Sequence, residues 1–355
     1  MVEKTIFGTM EDGREVSRYT LTNQNGVSAS FLDLGAIWST MLVPDRNGEM
    51  ADVLLGHETV ADCSSDLDCL ISDGHLGEAV GRNANRIGGA AFTLNDKKYE
   101  LTANDGPNNL HSGMDFYRNR IWAAEYETGI NQVSFTLESP DGDQGYPGNA
   151  SIRVTYTLTD ENEVKIHYEG ICDQDTIFNM TNHAYFNLAG HESGPALSQM
   201  VYIDSDAITA VDKVLIPTGE IRKVMGTPMD FSDFKPIGCD IEADYDQLKL
   251  GGGYDHNWIL NHEAGVSSLA AAAIDEESGR KMEVYTDLPG VQFYTGNFLD
   301  GQVPGKGGVK YARRQGYCFE TQYYPNAVNM PGFASPIVKK GEKYDTTTSY
   351  KFMTV

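Results

Sequence analysis

The sequence predicts an all-β protein, a large antiparallel β-sandwich with few short helices, in one domain over residues 1–355. Three observations lead there. Short runs of alternating polar and apolar residues recur along the chain, the pattern a sheet needs to bury one face and wet the other. Turn residues separate these runs at regular intervals. Apolar residues at helical spacing are nearly absent, so long helices are not expected. The apolar fraction is 40%, with 14 Phe, 19 Tyr and 3 Trp among 355 residues, enough for a sizeable core. All-β units often reach this length as one domain.

The strand signals run in order. Arg18-Tyr19-Thr20-Leu21 and Val27 to Leu32 flank Asn25-Gly26, a hairpin-type turn. Ile37 to Val43 is a further apolar run, ended by Pro44 to Gly48. Residues 57–75 are acidic, hold Cys63 and Cys69, and read as loop with one short helix. Ala91 to Leu94 and Tyr99 to Leu101 bracket Asn95-Asp96, and Val133 to Leu137 follows. Ile152, Val154, Tyr156 and Leu158 alternate, turn at Asp160 to Asn162, and resume at Val164, Ile166 and Tyr168. That is a hairpin with one buried face. Residues 212–250 carry Pro and Gly and read as irregular, with a short helix near Asp246–Leu250. Strand signals return at Trp258 to Leu260, Met282 to Tyr285, Val291 to Tyr294 and Ser349 to Phe352.

Charge and cysteine usage exclude several classes. With 51 acidic and 27 basic residues the formal net charge is −24, and no basic stripe offsets it. Nucleic acid and anionic membrane surfaces are therefore not expected partners. The five cysteines are spread without a C-x-x-C pair, which suggests reduced thiols rather than a disulfide framework or zinc knuckle. The opening Met1 to Phe7 has no apolar signal-type run, so a cytoplasmic location is expected. No run of eighteen apolar residues occurs, so no membrane span is expected.

Two stretches carry polar residues where a strand would face inward. In Thr181 to Gly190, alternation puts Thr181, His183, Tyr185 and Asn187 on one side and Asn182, Ala184, Phe186 and Leu188 on the other. In Cys318 to Asn326 it groups Cys318, Glu320 and Gln322. Such a face is costly to bury without partners, so it suggests a wet cleft in which His183 and Glu320 serve as proton donor and acceptor. Gln292 and Tyr294 share a third polar strand face. Gly81 to Gly89 reads as a turn with two surface arginines, or as Asn85 and Arg86 offering donors to an oxygen-rich ligand. Asn108 to Gly113 is an Asx-rich turn in which His111 could hold a hydroxyl. Gly251 to Trp258 places Asp255 and an aromatic after three glycines, which suits close approach to a sugar or a self-capping loop. No H-E-x-x-H, zinc spacing or G-x-S-x-G is present, so neither metal nor serine-nucleophile chemistry is indicated.

Taken together and in order, these stretches resemble the aldose 1-epimerase (galactose mutarotase) family. The matching pieces are Gly81-Arg82 with Ala84-Asn85-Arg86-Ile87, Asn109-Leu110-His111, and Thr181-Asn182-His183 with Tyr185 to Leu188. They continue in Tyr254 to Asn257, Gly290 to Asn297, and Phe319-Glu320-Thr321-Gln322 with Pro325-Asn326-Ala327 and Asn329. Ser112 stands where that family usually has glycine, Asn83 where an apolar or aromatic residue is common, and residues 61–76 match poorly.

The resemblance implies a galactose mutarotase-like sandwich with an open cleft. It implies interconversion of α and β anomers of a free hexose such as galactose or glucose. It casts Glu320 as base and His183 as acid, and puts Asn85, Arg86, His111, Asp255, Gln292 and, as an addition, Tyr185 against the substrate. Ring opening of a hemiacetal moves protons only, so no cofactor and no metal is expected. The expected partner is a small free aldose, with the chain as monomer or homodimer. His183 would have to stay protonated near neutrality, which a neighbouring carboxylate would favour. The competing readings are a glycoside hydrolase using Asp255 and Glu320, and a non-catalytic carbohydrate-binding sandwich.

Overall fold

The computed structural model describes residues 1–65, 75–127 and 129–355. Among these, strands dominate, and the two α-helices, Val60–Ser65 and Asp246–Gly251, have six residues each. The remainder of the acidic stretch up to residue 74, including Cys69, lies outside the described residues.

Three larger antiparallel sheets organise the chain. The first is a meander of Val2–Thr9, Glu15–Thr22, Ser28–Leu32, Trp38–Pro44 and Met50–Asp52. Its central hairpin turns at Asn25-Gly26, where Gly26 has φ 80°. The second has nine strands in the order Ala123–Glu127, Gln132–Ser139, Ala150–Leu158, Glu163–Cys172, Lys343–Thr354, Arg280–Thr286, Ser268–Ile274, Met200–Ile203 and Lys235–Pro236. The C-terminal Lys343–Thr354 is thus central, paired with Glu163–Cys172 on one side and Arg280–Thr286 on the other. The third sheet runs Pro217–Lys223, Ser205–Val211, Asp255–Leu260, Gly290–Tyr294 and Cys318–Gln322.

This third sheet has unlike faces, as alternation requires. Trp258, Val291, Phe293 and Phe319 point into a core shared with Val284, Tyr350 and Phe352 of the nine-stranded sheet. Phe293 stacks on Phe319 at 5.2 Å, and the Tyr350 hydroxyl donates to the Phe319 carbonyl at 2.8 Å. The same core takes in Phe31, Trp38 and Met41 of the meander. Burying four large side chains from three short strands contributes several kcal/mol, at roughly 1.5–3 kcal/mol each. The opposite face of the third sheet is left to carry polar groups.

The 181–190 stretch departs from the sequence reading. Only Thr181–Asn182 is ladder strand, paired with Ala79–Val80, and Phe186 makes isolated bridges to Leu54 and Tyr317. The segment changes partners along its length: His183 exchanges backbone bonds with Gly77 and Glu78, Tyr185 accepts from Leu55, and Asn187 donates to Val53. Because it stays extended, alternation still holds where it matters. His183 and Tyr185 share a side, their rings 5.0 Å apart, while Ala184, Phe186 and Leu188 enter the core.

Candidate active site

Six of the eight residues singled out from the sequence line one cavity of about 470 Å³: Asn85, Arg86, His111, His183, Asp255 and Glu320. That is within the usual size for a small-molecule site. The floor is the polar face of the third sheet. Asn257, Gln292 and Glu320 stand in one cross-strand row, and Asp255, Tyr294 and Cys318 in the next. His183 arrives from its extended segment, and its Nε2 lies 3.6 Å from Glu320 Oε2. Both are almost fully buried, at 5% and 2% exposure. The other nitrogen, Nδ1, is 3.4 Å from Cys318 Sγ.

His111 follows the two-residue strand Asn109–Leu110, which pairs with Arg86–Ile87. Asn85 and His111 both adopt left-handed backbone, φ 58° and 51°, and each binds the other: His111 N–H donates to the Asn85 carbonyl, and Asn85 N–H donates to His111 Nδ1 at 3.2 Å. Strain of this kind collects at functional sites. Since Nδ1 accepts, the neutral ring carries its proton on Nε2 and can donate it to a ligand oxygen. Ser112, also left-handed at φ 71°, receives the Asn83 N–H at 2.8 Å. The two departures from the family pattern therefore support each other beneath the site, and neither lines the cavity.

Arg86 is fixed by Asp105, its Nε 2.7 Å from Oδ2, and lies 3.8 Å from Asp255. Asp255 in turn accepts from Gln292 Nε2 at 2.7 Å. Neither arginine is a surface group: Arg82 is wholly buried and bound to Ser139, Pro147, Gly148 and Thr176, away from the cavity.

Burial pushes both His111 and His183 well below the ordinary histidine value of 6.5. For His183 the further causes are His75 and Arg118, with an opposing hydrogen bond from its own backbone. This direction runs against the expectation of an imidazole kept charged, and its largest cause is removal from water.

Two residues stand outside the lining. Tyr185 is fully buried behind His183, stacked on its imidazole and packed with Leu55, Leu76 and Tyr294. Gln292 sits between Asp255 and Glu320 and orients Asp255. The aromatic anticipated after the triple glycine, Trp258, is core; the exposed ring at the cavity is Phe298. Sequence reasoning also missed His75, Asn104 and Asp105. Asn104-Asp105-Gly106 carried only a turn signal, and His75 no signal at all. His111, His183 and Glu320 bring donor atoms within 4.8 Å of one another and could hold a metal ion, a grouping that chain spacing hid.

An antiparallel sandwich whose polar sheet face joins a carboxylate to an imidazole in a ligand-sized cavity defines a site suited to general acid–base chemistry on a small molecule. The aldose 1-epimerase family model matches residues 17–351, and the chain belongs to that family. Among its relatives, galactose mutarotase of Bos taurus is 39% identical over 351 residues, covering 99% of this chain and 98% of that protein. Galactose mutarotase of Homo sapiens is 37% identical over the same length and coverage. Aldose 1-epimerase of Escherichia coli (strain K12) is 35% identical over 344 residues, 96% of each chain. The crystal structure of galactose 1-epimerase from Lactobacillus acidophilus NCFM superposes with a TM-score of 0.84 at 26% identity, covering 100% of this chain and 99% of that one. Membership of this family implies an enzyme.

Proposed function

We propose that this protein is an isomerase, a mutarotase that interconverts the α and β anomers of a free hexose such as galactose or glucose. The observation that carries this reading is the 3.6 Å approach of His183 Nε2 to Glu320 Oε2 in the cavity wall. Glu320 takes the proton from the C1 hydroxyl. The C1–ring oxygen bond breaks with its electron pair on the ring oxygen, which takes a proton from His183. Rotation about C1–C2 turns the other carbonyl face to the ring oxygen. Reclosure returns one proton to His183 and one from Glu320 to O1, so the cycle is neutral in protons and electrons. Asp255, Arg86 and His111 Nε2–H hold hydroxyls, and Phe298 offers an apolar face to the ring. Asp255 is already engaged by Gln292 and Arg86, which suits holding rather than acting as one of a hydrolase's two acting carboxylates.

Polarimetry tests the reading. Wild-type protein accelerates the optical-rotation decay of fresh α-galactose, and Glu320→Gln lowers kcat by about 10²–10⁴-fold while sugar binding persists. A Glu320→Gln enzyme retaining more than roughly a few per cent of wild-type rate removes Glu320 from the base role. Release of phenol from aryl glycosides would favour hydrolysis instead.

A further inference from the structure

His75 lines the same cavity, and its chemistry is unused by the proton transfers above. Its Nδ1 lies 2.6 Å from Glu78 Oε1 across the Leu76-Gly77 turn. Glu78 is itself buried, with Oε2 3.6 Å from Arg118 Nε. A carboxylate only accepts, so Nδ1 carries the hydrogen, and in the ring form with a single proton Nε2 presents a lone pair. Among the described residues Nε2 has no hydrogen-bond partner. The ring is held by Phe116 edge-on at 5.1 Å, by His111 at 4.8 Å and by His183, nearly parallel, at 5.4 Å. A fixed acceptor facing a cavity of donors and hydroxyl-holding groups calls for a donor on the ligand.

Its place suggests which one. With His183 serving the ring oxygen and Glu320 serving O1, the ring oxygen's second neighbour, C5, falls on the side away from Glu320. His75 enters on a separate segment and packs on His183. We propose that His75, oriented by Glu78, is a further substrate-binding residue whose Nε2 accepts a hydrogen bond from the hydroxymethyl group on C5, so that the site favours hexoses over their 6-deoxy counterparts. This rests on the epimerase reading.

The test compares kcat/KM for D-galactose and 6-deoxy-D-galactose. The wild type favours galactose by about 2–10-fold, one net hydrogen bond, expressed mainly in KM. His75→Phe keeps a packed ring, lowers the galactose value more than the 6-deoxy value, and brings the ratio near one. His75→Gln, whose amide oxygen reaches toward the Nε2 position, restores part of the preference. A wild-type ratio of one, or a His75→Phe loss equal for both sugars, overturns the proposal. No acceleration with either sugar would instead fail the epimerase reading beneath it.

Discussion

His183 must give up a proton, yet its surroundings resist its having one. Burial above all, then His75 and Arg118, lower its affinity for a proton. The sign follows directly. If the acid form is required, kcat/KM falls as pH rises through the free-enzyme value of His183, which lies below 6.5. The alkaline limb of a kcat/KM profile should therefore be complete before ordinary histidine would titrate. A limb centred above 6.5 would contradict a lowered His183 acting as the acid. His111 is lowered in the same direction, but its role as an Nε2–H donor needs the neutral ring, so it adds no second alkaline limb.

At the scale of elements, the site depends on a row of short strands and one buried arginine. Arg82 ties the 81–87 turn to Ser139, Pro147, Gly148 and Thr176 by five hydrogen bonds. Arg82→Met removes the donors and leaves buried carbonyls unpaired, so it should destabilise by about 2–4 kcal/mol in urea unfolding. A change under about 0.5 kcal/mol would mean these bonds do not hold the turn. Two strands of the third sheet were legible because Gln292 and Glu320 alternate with Phe293 and Phe319, while Asp255–Leu260 was read as strand only from Trp258 on. Ser268–Ile274 was not legible, since its run of four alanines has little strand preference, and pairing on both sides by Met200–Ile203 and Arg280–Thr286 decides its form. Pro217–Lys223 hid in the Pro- and Gly-rich region for a similar reason, being an exposed edge strand with no apolar alternation. His75 and Asp105 reach the cavity from turns, where local chemistry masks a ligand-facing role. The pairing of residues 183 and 320 was suggested by their faces, but their separation could only come from the fold.

The whole molecule concentrates its titration risk in buried imidazoles. His256, 1% exposed, is lowered to about 4, and His111 and His183 are lowered as well. Between 6.5 and about 4 the unfolded chain binds more protons at His256 than the native state does, so stability is full above 6.5 and is lost as pH falls through that window. His256 alone accounts for on the order of 3 kcal/mol at about 1.4 kcal/mol per pH unit. His256→Asn keeps an acceptor for the Asp255 N–H while removing the titration. Its melting temperature should fall less steeply than wild type between pH 6.5 and 4. Parallel curves would place the acid sensitivity elsewhere. No helix among the described residues is long and apolar enough to cross a membrane.

One-dimensional proton NMR of freshly dissolved α-galactose and α-glucose, with and without the protein, bears most directly on the paired imidazole and carboxylate. The α-anomer signal should decay to the same final α/β ratio in both samples, and faster by orders of magnitude with protein present. Superimposable time courses for both sugars would contradict the account.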